Sequence, residues 1–412
     1  MALVNRRVTY KLYPNARQHA ALDRLCDLHR GLYNAALEER IDAYRKTGAS
    51  IGFSDQCRSL TRIRRECPEY LAVNAQSAQV TLKRLDKAFA AFFRRVKQGD
   101  EEPGFPRFKS RDRFPGFGFK THGDGFRFVP GDNWKHGRLR LTGIGTMQAR
   151  SEARTPGRIV CADVQRKADG WFLSLVVECE PHREQTGQRE CGLDWGVETF
   201  ATVAYDLEEF VEFPNDRLLN QESEAIKASQ RALSKALRGN RSKRAVKARR
   251  ALSRRHRKVA NRRKDMLHQR TAKLVREHSL IVTERLSIRN MTGTAKGTVE
   301  NPGKRVKQKA GLNRAILDTA PGGFSSMLLW KAQEAAGCEI VTLETRKHKP
   351  SQTDPVDGTV RKKTLKERTH TLPNGRVIGR DQAAALSMLA AGLRLKGREP
   401  AWIASETPAR AA

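Results

Sequence analysis

The sequence predicts an α/β chain of several domains, in which a helical module and a β module precede a region of mixed strands and helices. Apolar residues recur at three- and four-residue steps over residues 16–47 and 77–97, which indicates helices. Pro and Gly interrupt the chain from residue 103, and strands alternate with helices after residue 189. The length of 412 residues allows two to four domains, at roughly 100–200 residues per domain.

The helical module begins at residue 16 and ends near residue 100. Leucines recur at helical spacing over residues 16–47, and Gly48 ends that pattern. Apolar residues lie on one side of the second predicted helix, residues 77–97, and Gly99 ends it. Two long helices are therefore expected here.

The β module follows a stretch in which Pro and Gly interrupt every turn and so exclude a helix. Ala168-Asp169-Gly170 is a hairpin signal between the last two predicted strands. We expect a mostly antiparallel module that forms a small barrel. Its aromatic residues alternate with Arg and Lys, so they could stack on bases or simply pack in the core; the sequence leaves both open. The predicted strands are residues 126–128, 138–141, 159–165 and 171–180.

Three acidic residues lie at the ends of predicted elements in the third region. Asp194 ends one apolar strand, Glu284 ends another, and Asp381 begins the last helix. Each alone has an ordinary explanation, namely a turn, a solvated strand end and a helix N-cap. Together they form the carboxylate set that a pair of Mg²⁺ ions needs for phosphodiester hydrolysis.

The charge of the chain predicts a polyanionic partner. Lys and Arg number 79 against 45 Asp and Glu, a formal net charge of +34, and nucleic acid is the commonest polyanion. No run approaches the roughly 18 apolar residues of a membrane helix, and the N-terminus lacks a signal-peptide core. We therefore expect no membrane partner.

The most basic stretch, residues 227–276, contains 20 Lys or Arg and one acid, Asp265. Regular apolar residues favour helical arms with a break at Gly239-Asn240, and a 30-residue arm would be about 45 Å long. Because opposite charges are missing, phosphate-backbone binding is the favoured interpretation, and a solvated face is the alternative. The predicted backbone contacts are Arg249, Arg250, Arg254, Arg255, Lys258, Arg262 and Arg263.

The seven cysteines are scattered, odd in number and never spaced as C-x-x-C. This pattern fits neither a disulfide framework nor a zinc site, and it is typical of a reducing cytoplasm. We expect buried small hydrophobic residues at all seven positions.

Three motifs carry a resemblance to a known family. Residues 192–202 (GLDWGVETFAT), 281–286 (IVTERL) and 379–389 (GRDQAAALSML) resemble the three RuvC motifs of the transposon-encoded TnpB nucleases and of their miniature type V CRISPR-effector relatives. The resemblance covers nearly all of residues 8–395 in the family's order. Further similar segments are residues 11–14, 104–110 and 326–333.

The resemblance implies an RNA-guided DNA endonuclease. Asp194, Glu284 and Asp381 would be its catalytic, metal-binding acids, acting with two Mg²⁺ ions, for which Mn²⁺ can substitute. The partners would be a guide RNA, from a CRISPR array or a transposon end, and double-stranded target DNA beside a short motif. The cell compartment would be the cytoplasm, in association with the nucleoid.

The resemblance also implies a domain plan. It comprises a β-barrel wedge domain (1–15 and 107–188), a helical recognition lobe (16–106), an RNase H-like RuvC nuclease domain (189–345 and 379–396) with a basic helical insertion (about 216–278), a zinc-knuckle-like insert (346–378) and a flexible tail (397–412).

The chain departs from the family's pattern at several positions. Trp195, Arg285 and Gly379 flank the metal site without removing its acids. In the insert, all four cysteines of the family's zinc knuckle are replaced, and Thr and Asn are poor zinc ligands. We expect no structural zinc, and His348 and His370 nearby are not expected to form a site. The replacements are Asp354, Asp357, Thr371 and Asn374.

Two other functions remain open from the sequence. One is an RNA-guided DNA-binding protein or repressor with weak or no cleavage. The other is a basic RNA- or DNA-binding protein without a guide, which would leave the three acids unexplained.

Overall fold

The computed structural model describes residues 3–406 except 101, 168, 182–184, 239–241, 336 and 365–366. The chain forms two compact units, residues 1–181 and 182–412. Within the described ranges, every helix is too short or too polar to cross a membrane. The predicted break at Gly239-Asn240 and Ala168 of the predicted hairpin lie outside the described residues.

The first unit consists of a seven-stranded antiparallel sheet and three helices. Its strands are β1 (Val4–Tyr13), β2 (Gly116–Phe119), β3 (Phe126–Pro130), β4 (His136–Leu141), β5 (Gly145–Arg150), β6 (Arg158–Lys167) and β7 (Gly170–Cys179). Its helices are α1 (Ala16–Thr47), α2 (Phe53–Glu66) and α3 (Ala75–Lys97), with a 3₁₀ turn at Pro68–Ala72. The strand order is β2-β6-β7-β1-β5-β4-β3.

Where the sequence predicts a small barrel, these strands form a curled sheet. The edge strands β2 and β3 do not pair with each other within the described residues, so the sheet stays open. It is nevertheless strongly curled, because the Phe119 and Phe126 rings of the two edge strands lie 5.3 Å apart. The aromatic side chains at the ends of β2 and β3 are buried, which favours core packing over base stacking at these positions.

The first predicted helix is confirmed at both ends. Asn15 caps the first turn of α1, its side chain accepting a hydrogen bond from the Gln18 backbone N–H at 2.8 Å. Gly48 ends the helix in a left-handed conformation with φ of 69°, which glycine adopts without a steric penalty. Helix α2 was not predicted, because it is short and six of its 14 residues are charged.

The second unit is built on a five-stranded mixed sheet. The strands of this sheet are β8 (Arg189–Trp195), β9 (Thr199–Ala204), β10 (Phe210–Pro214), β11 (His278–Glu284) and β12 (Glu339–Leu343). A separate hairpin consists of β13 (Thr369–Thr371) and β14 (Val377–Gly379). Its helices are α4 (Leu218–Gln221), α5 (Ser223–Leu237), α6 (Lys243–Glu277), α7 (Ile288–Met291), α8 (Val306–Thr319), α9 (Pro321–Ala335), α10 (Thr345–His348), α11 (Arg380–Leu395) and α12 (Ala401–Glu406), with a 3₁₀ turn at Pro350–Gln352.

The five strands combine antiparallel and parallel pairing in the order β10-β9-β8-β11-β12. Strands β8, β9 and β10 form an antiparallel meander, and β11 and β12 run parallel to β8. Parallel neighbours end at the same edge of a sheet, so the carboxyl ends of β8 and β11 are adjacent.

Alternation of side chains assigns each face of this sheet to a different core. On one face Cys191, Leu193 and Ile281 pack with α9 and the C-terminal part of α6. On the opposite face Leu280 and Val282 pack with α11 and the insert. Gly192 alternates with Cys191 and Leu193, so it lies on the α11 face.

The basic insertion is only partly a projecting arm. Helix α6 has 35 residues, and its C-terminal residues Leu267, Leu274 and Val275 are buried against the sheet. Its N-terminal half packs on α4 and α5 through a small cluster around Ile226 and Val259. The predicted projection is therefore wrong for the C-terminal part of α6, which belongs to the core of the domain.

The predicted flexible tail is wrong for residues 401–406. These residues form α12, and Trp402 is buried, with its indole N–H 3.3 Å from the Pro355 carbonyl oxygen. An aromatic residue near a chain end marks a docking point, a signal that the tail's small-residue composition masked. Residues 407–412 lie outside the described residues.

Helix α11 crosses β8 at a glycine, and we expect Gly192→Ala to separate them. A Cβ at residue 192 would overlap the carbonyl oxygen of Ala385, which is backbone and cannot rotate away. The free energy of unfolding should fall by about 1–3 kcal/mol, or more if α11 is displaced. The control is Gly311→Ala within α8, where a Cβ meets no atom within 4 Å. Thermal unfolding midpoints that fall equally in the two variants would contradict this packing.

Candidate active site and basic face

Asp194 lies at the carboxyl end of β8 on the face that α11 covers. It is two residues beyond Gly192, and side chains two apart in a strand share a face. Its main-chain position is fixed by pairing with Thr202 of β9 and by the parallel neighbour β11. Asp194 is half-buried at this edge of the sheet.

Glu284 occupies the matching position on the neighbouring strand. The register pairs Thr283 with Leu193 and Glu284 with Leu343, so Glu284 ends β11 beside Asp194 on β8. Neighbouring strands are roughly 4.8 Å apart, and Glu284 shares the α11 face with Val282. Burial raises the pKa of Glu284, and a hydrogen bond from Thr345 partly opposes this rise.

Asp381 comes to the same edge through the packing of α11. It lies in the first turn of that helix, one turn before Ala385, the residue that lies over Gly192. Arg380 contacts the Asp381 carboxylate, with its Nε and one terminal nitrogen each 3.3 Å from Oδ1.

The three acids form one electrostatic cluster centred on Asp194. Burial is the main cause that raises the pKa of Asp194 well above its usual value, and the charges of Glu284 and Asp381 raise it further. The Arg380 guanidinium and a backbone hydrogen bond from Trp195 act in the opposite direction. The predicted trio is thus brought together, at the edge where β8 and β11 end.

The carboxylates share this edge without converging on one point. Among the residues that the structure describes, no three His, Cys, Asp or Glu side chains are arranged to hold an ion together. The donor set itself fits a hard divalent cation, since carboxylate oxygens are what Mg²⁺ prefers and the repulsion around Asp194 calls for a positive charge.

The four degenerate knuckle positions differ in environment. Asp354 is buried, whereas Asp357, Thr371 and Asn374 are exposed. Asp354 accepts a hydrogen bond from His370, whose Nε2 lies 2.7 Å from Oδ2. The absence of structural zinc stays a prediction.

Several of the predicted phosphate-binding side chains are engaged within the protein. Lys258 donates to Glu222 at 2.6 Å, and Arg255 donates to the Ser229 hydroxyl at 2.9 Å. These hydrogen bonds reduce the capacity of Lys258 and Arg255 to bind a phosphate group.

Two further arginines of this set also have partners. Arg262 donates to the Gln221 side chain at 3.0 Å. Arg263 forms an ion pair with Asp318, a mostly buried acid that also accepts from the Leu219 backbone N–H at 2.9 Å. Arg263 therefore joins α6 to α8 and α4.

An outward basic face remains on α6. Arg249, Arg250 and Arg254 are exposed, as predicted. Lys247 and Lys264, which the sequence did not single out, are exposed on the same side. Lys247, Arg250, Arg254 and Lys264 form no ion pair among the described residues and lie within an arc of roughly 100°, at 3.6 residues per turn. We call these four residues the basic face.

Sequence reasoning missed the residues that surround the acids. Arg380 could have been noticed, because a cation next to a motif acid in the sequence must lie near it. Thr345 carried no signal, since its approach to Glu284 depends on the pairing of β11 with β12. His370 was noticed and set aside, because nothing in the sequence indicates its burial against Asp354.

Comparison with known proteins adds independent findings. A family model described as "Probable transposase" matches residues 174–295, and one described as "Helix-turn-helix domain" matches residues 1–49. The latter segment folds here as β1 followed by the single 32-residue helix α1.

Two curated relatives carry the same kind of name. The chain is 27% identical over 314 residues to "Putative RNA-guided DNA endonuclease InsQ" of Escherichia coli (strain K12), covering 75% of this chain and 73% of that protein. It is 28% identical over 402 residues to "Putative RNA-guided DNA endonuclease" of Streptomyces pristinaespiralis, covering 95% and 90%. A similar solved structure is the "Cas12f1-sgRNA-target DNA complex", with a TM-score of 0.58 and 12% identity over 94% of this chain and 99% of that chain.

At this low identity the structural match shows the fold alone, which is a mixed α/β fold shared with that chain. The family model and the two curated relatives give a closer comparison than the solved structure. The resemblance to the TnpB family of transposon-encoded proteins, which the three motifs predict, is confirmed.

Proposed function

We propose that this chain is an RNA-guided DNA endonuclease, which recognises double-stranded DNA beside a short motif and cleaves it at a divalent-metal site of RuvC type. The observation that carries the proposal is the repelling acidic cluster of Asp194, Glu284 and Asp381 at one sheet edge. Such a cluster costs stability in the free protein, and a protein that only held nucleic acid would gain nothing from it.

The fold around the cluster supports an RNase H-like assignment for residues 189–345 and 379–396. Three antiparallel strands continue into two parallel ones, and a helix lies across the face that carries the acids. The printed names of the two curated relatives agree with this activity.

Asp194, Glu284 and Asp381 would hold the metal with their carboxylate oxygens. When bound, Mg²⁺, for which Mn²⁺ can substitute, supplies positive charge at the scissile phosphate and lowers the pKa of a bound water. The raised pKa of Asp194 and of Glu284 means that binding a cation would displace protons from these groups. Arg380, released from Asp381, would remain near the site as a cation for the phosphate.

Guide and target recognition would rest on other parts of the chain. Base pairing with a guide RNA would supply sequence specificity, and the protein would hold the backbone. The basic face of α6 is our candidate for phosphate binding. We assign residues 16–106 to a recognition lobe and residues 1–15 and 107–188 to a wedge domain, and such an enzyme would work in the cytoplasm beside the nucleoid.

The test combines sequencing of co-purified RNA with a plasmid-cleavage assay. A discrete RNA species, and Mg²⁺-dependent cutting of a plasmid that carries the matching target, are the expected results. Target binding by the unaltered protein without cutting would instead favour the guided repressor. Absence of any specific RNA would favour an unguided nucleic-acid-binding protein.

The metal site can also be tested through stability. Because the folded state raises the pKa of Asp194, its contribution to stability is present below the unfolded value of about 3.9 and is lost as pH rises through the folded pKa. Metal-free Asp194→Asn should therefore become increasingly more stable than the metal-free parent as pH rises above about 4. Mg²⁺ should raise the thermal midpoint of the parent alone. An equal effect of Mg²⁺ on both proteins would argue against ion binding at Asp194.

A further inference from the structure

The insert of residues 346–378 stands where the related family has a zinc knuckle, and its residues do not fit that metal. No thiolate is present at the four aligned positions, and three of the four side chains are exposed. Both carboxylate oxygens of the fourth, Asp354, are already engaged. Oδ1 accepts from the Val356 backbone N–H at 2.8 Å, and Oδ2 lies 2.7 Å from His370 Nε2.

The Asp354–His370 pair is among the most deeply buried polar contacts of the second unit. The side chains are 1% and 2% exposed, although they are 16 residues apart in the sequence. Lys363 completes the group, since its ammonium contacts His370 Nδ1. An ammonium can only donate, so Nδ1 accepts and the Nε2–H donates to Asp354. Asp354 and Lys363 thus balance in charge across a neutral imidazole.

This pair joins the two halves of the insert as a bound metal would. Asp354 lies in the first half, which is tied to α11 by the Ser387 hydroxyl, 2.6 Å from the Thr353 carbonyl oxygen. His370 lies in the second half, on β13, where it pairs with Ile378 of β14.

The second half leads directly into the candidate active site. Strand β14 ends at Gly379, two residues before Asp381. The Arg380 backbone N–H donates to the Arg368 carbonyl oxygen at 2.9 Å, and the Arg380 side chain approaches the Glu367 carbonyl oxygen at 3.3 Å. The insert therefore holds the residue that contacts the Asp381 carboxylate.

We propose that the buried Asp354–His370 pair replaces zinc as the cross-link of the insert, and that the cross-linked insert positions the first turn of α11 with Asp381. Asp354 and His370 are positioning residues in this scheme. The second half of the proposal rests on the proposed nuclease function, whereas the first half does not.

Asp354→Asn is the variant that tests the cross-link, and Asp357→Asn is its matched control. The Asn side chain keeps the size of Asp354, but it presents either an N–H₂ group or a neutral oxygen to His370 Nε2. The contact between Lys363 and Nδ1 keeps Nε2 as the donor. Asp357 is exposed, and among the residues that the structure describes its carboxylate oxygen accepts from the Thr359 backbone N–H and hydroxyl, within its own loop.

Hydrogen exchange and metal analysis measure the cross-link without reference to cleavage. In Asp354→Asn, amides of residues 353–360 and 369–381 should exchange roughly tenfold faster or more, while Asp357→Asn leaves them unchanged. The purified parent should contain no stoichiometric zinc, and a chelator should not accelerate exchange in the insert. Stoichiometric zinc, chelator-induced opening, or unchanged exchange in Asp354→Asn would overturn the cross-link.

Positioning is measured by comparing cleavage with target binding. With target saturated by protein, Asp354→Asn should cut about tenfold to a hundredfold more slowly, because small displacements of a catalytic group are costly. Its dissociation constant for target should stay within about twofold of the parent value, a difference below roughly 0.5 kcal/mol. Unchanged cleavage in a variant whose insert has opened would refute positioning. A parent protein that binds target but never cuts would end the nuclease proposal and positioning with it, and the exchange data would still decide the cross-link.

Discussion

Asp194→Ala is expected to reduce target cleavage at least a thousandfold while target binding remains. Asp194 is the centre of the acidic cluster, the residue whose pKa responds to both other acids. Removing it would leave Glu284 and Asp381 on either side of a gap, with too few oxygens to hold a cation at the scissile phosphate. A thousandfold loss corresponds to about 4 kcal/mol of transition-state stabilisation, the several-kcal/mol range attributed to metal catalysis.

The measurement is single-turnover cleavage of a labelled target, with binding followed separately by filter retention. Glu339→Ala is the matched control, because Glu339 is an exposed acid at the start of β12, at the opposite edge of the same sheet from Glu284. Substantial residual cutting in Asp194→Ala, at more than about a tenth of the parent rate, would be incompatible with a metal held at this edge.

Replacing the four residues of the basic face with Ala is expected to weaken nucleic-acid binding roughly a thousandfold at low salt. Each lost phosphate contact should reduce the slope of log affinity against log salt by about 0.9 on duplex DNA, so four contacts reduce it by about 3–4. The loss should be similar for all sequences, because phosphate contacts carry no base information. Titrations of a labelled duplex at several salt concentrations give both quantities.

Arg263→Ala provides the comparison on the same helix. Its guanidinium is held by Asp318, so the variant should lower the thermal unfolding midpoint and leave the salt slope unchanged. Arg263→Ala could instead reduce the salt slope as much as the loss of one residue of the basic face does. In that case the distinction between Arg263, which is paired within the protein, and the basic face would be wrong.

The sequence alone was enough to place Asp194 and Glu284 at the ends of two strands. Both end apolar strands, and in the structure β8 and β11 pair in parallel with the two acids in matching positions. The bounds of α1 were equally accessible, because a 32-residue apolar repeat with a terminal Gly depends on local periodicity and capping alone.

Elsewhere local patterns were insufficient. The open edges of the first sheet depend on which strands pair, so the sequence alone could not decide whether the predicted barrel closes. A run of like charge cannot reveal that Arg255, Lys258 and Arg263 meet acceptors brought from α4, α5 and α8. Trp402 docks on a loop almost 50 residues earlier, which no tail composition indicates.

The sequence by itself determined the chemistry available to this protein: three carboxylates at element ends, a basic helix without compensating acids, and an insert without thiolates. These follow from residue types and short-range periodicity, which any stretch of chain carries alone. Only the tertiary structure decided which groups act together. Asp381 reaches the other two acids because Gly192 lets α11 lie against β8, and His370 becomes a partner of Asp354 because both are buried together. Such contacts arise from close packing between distant segments, and local sequence patterns do not encode them.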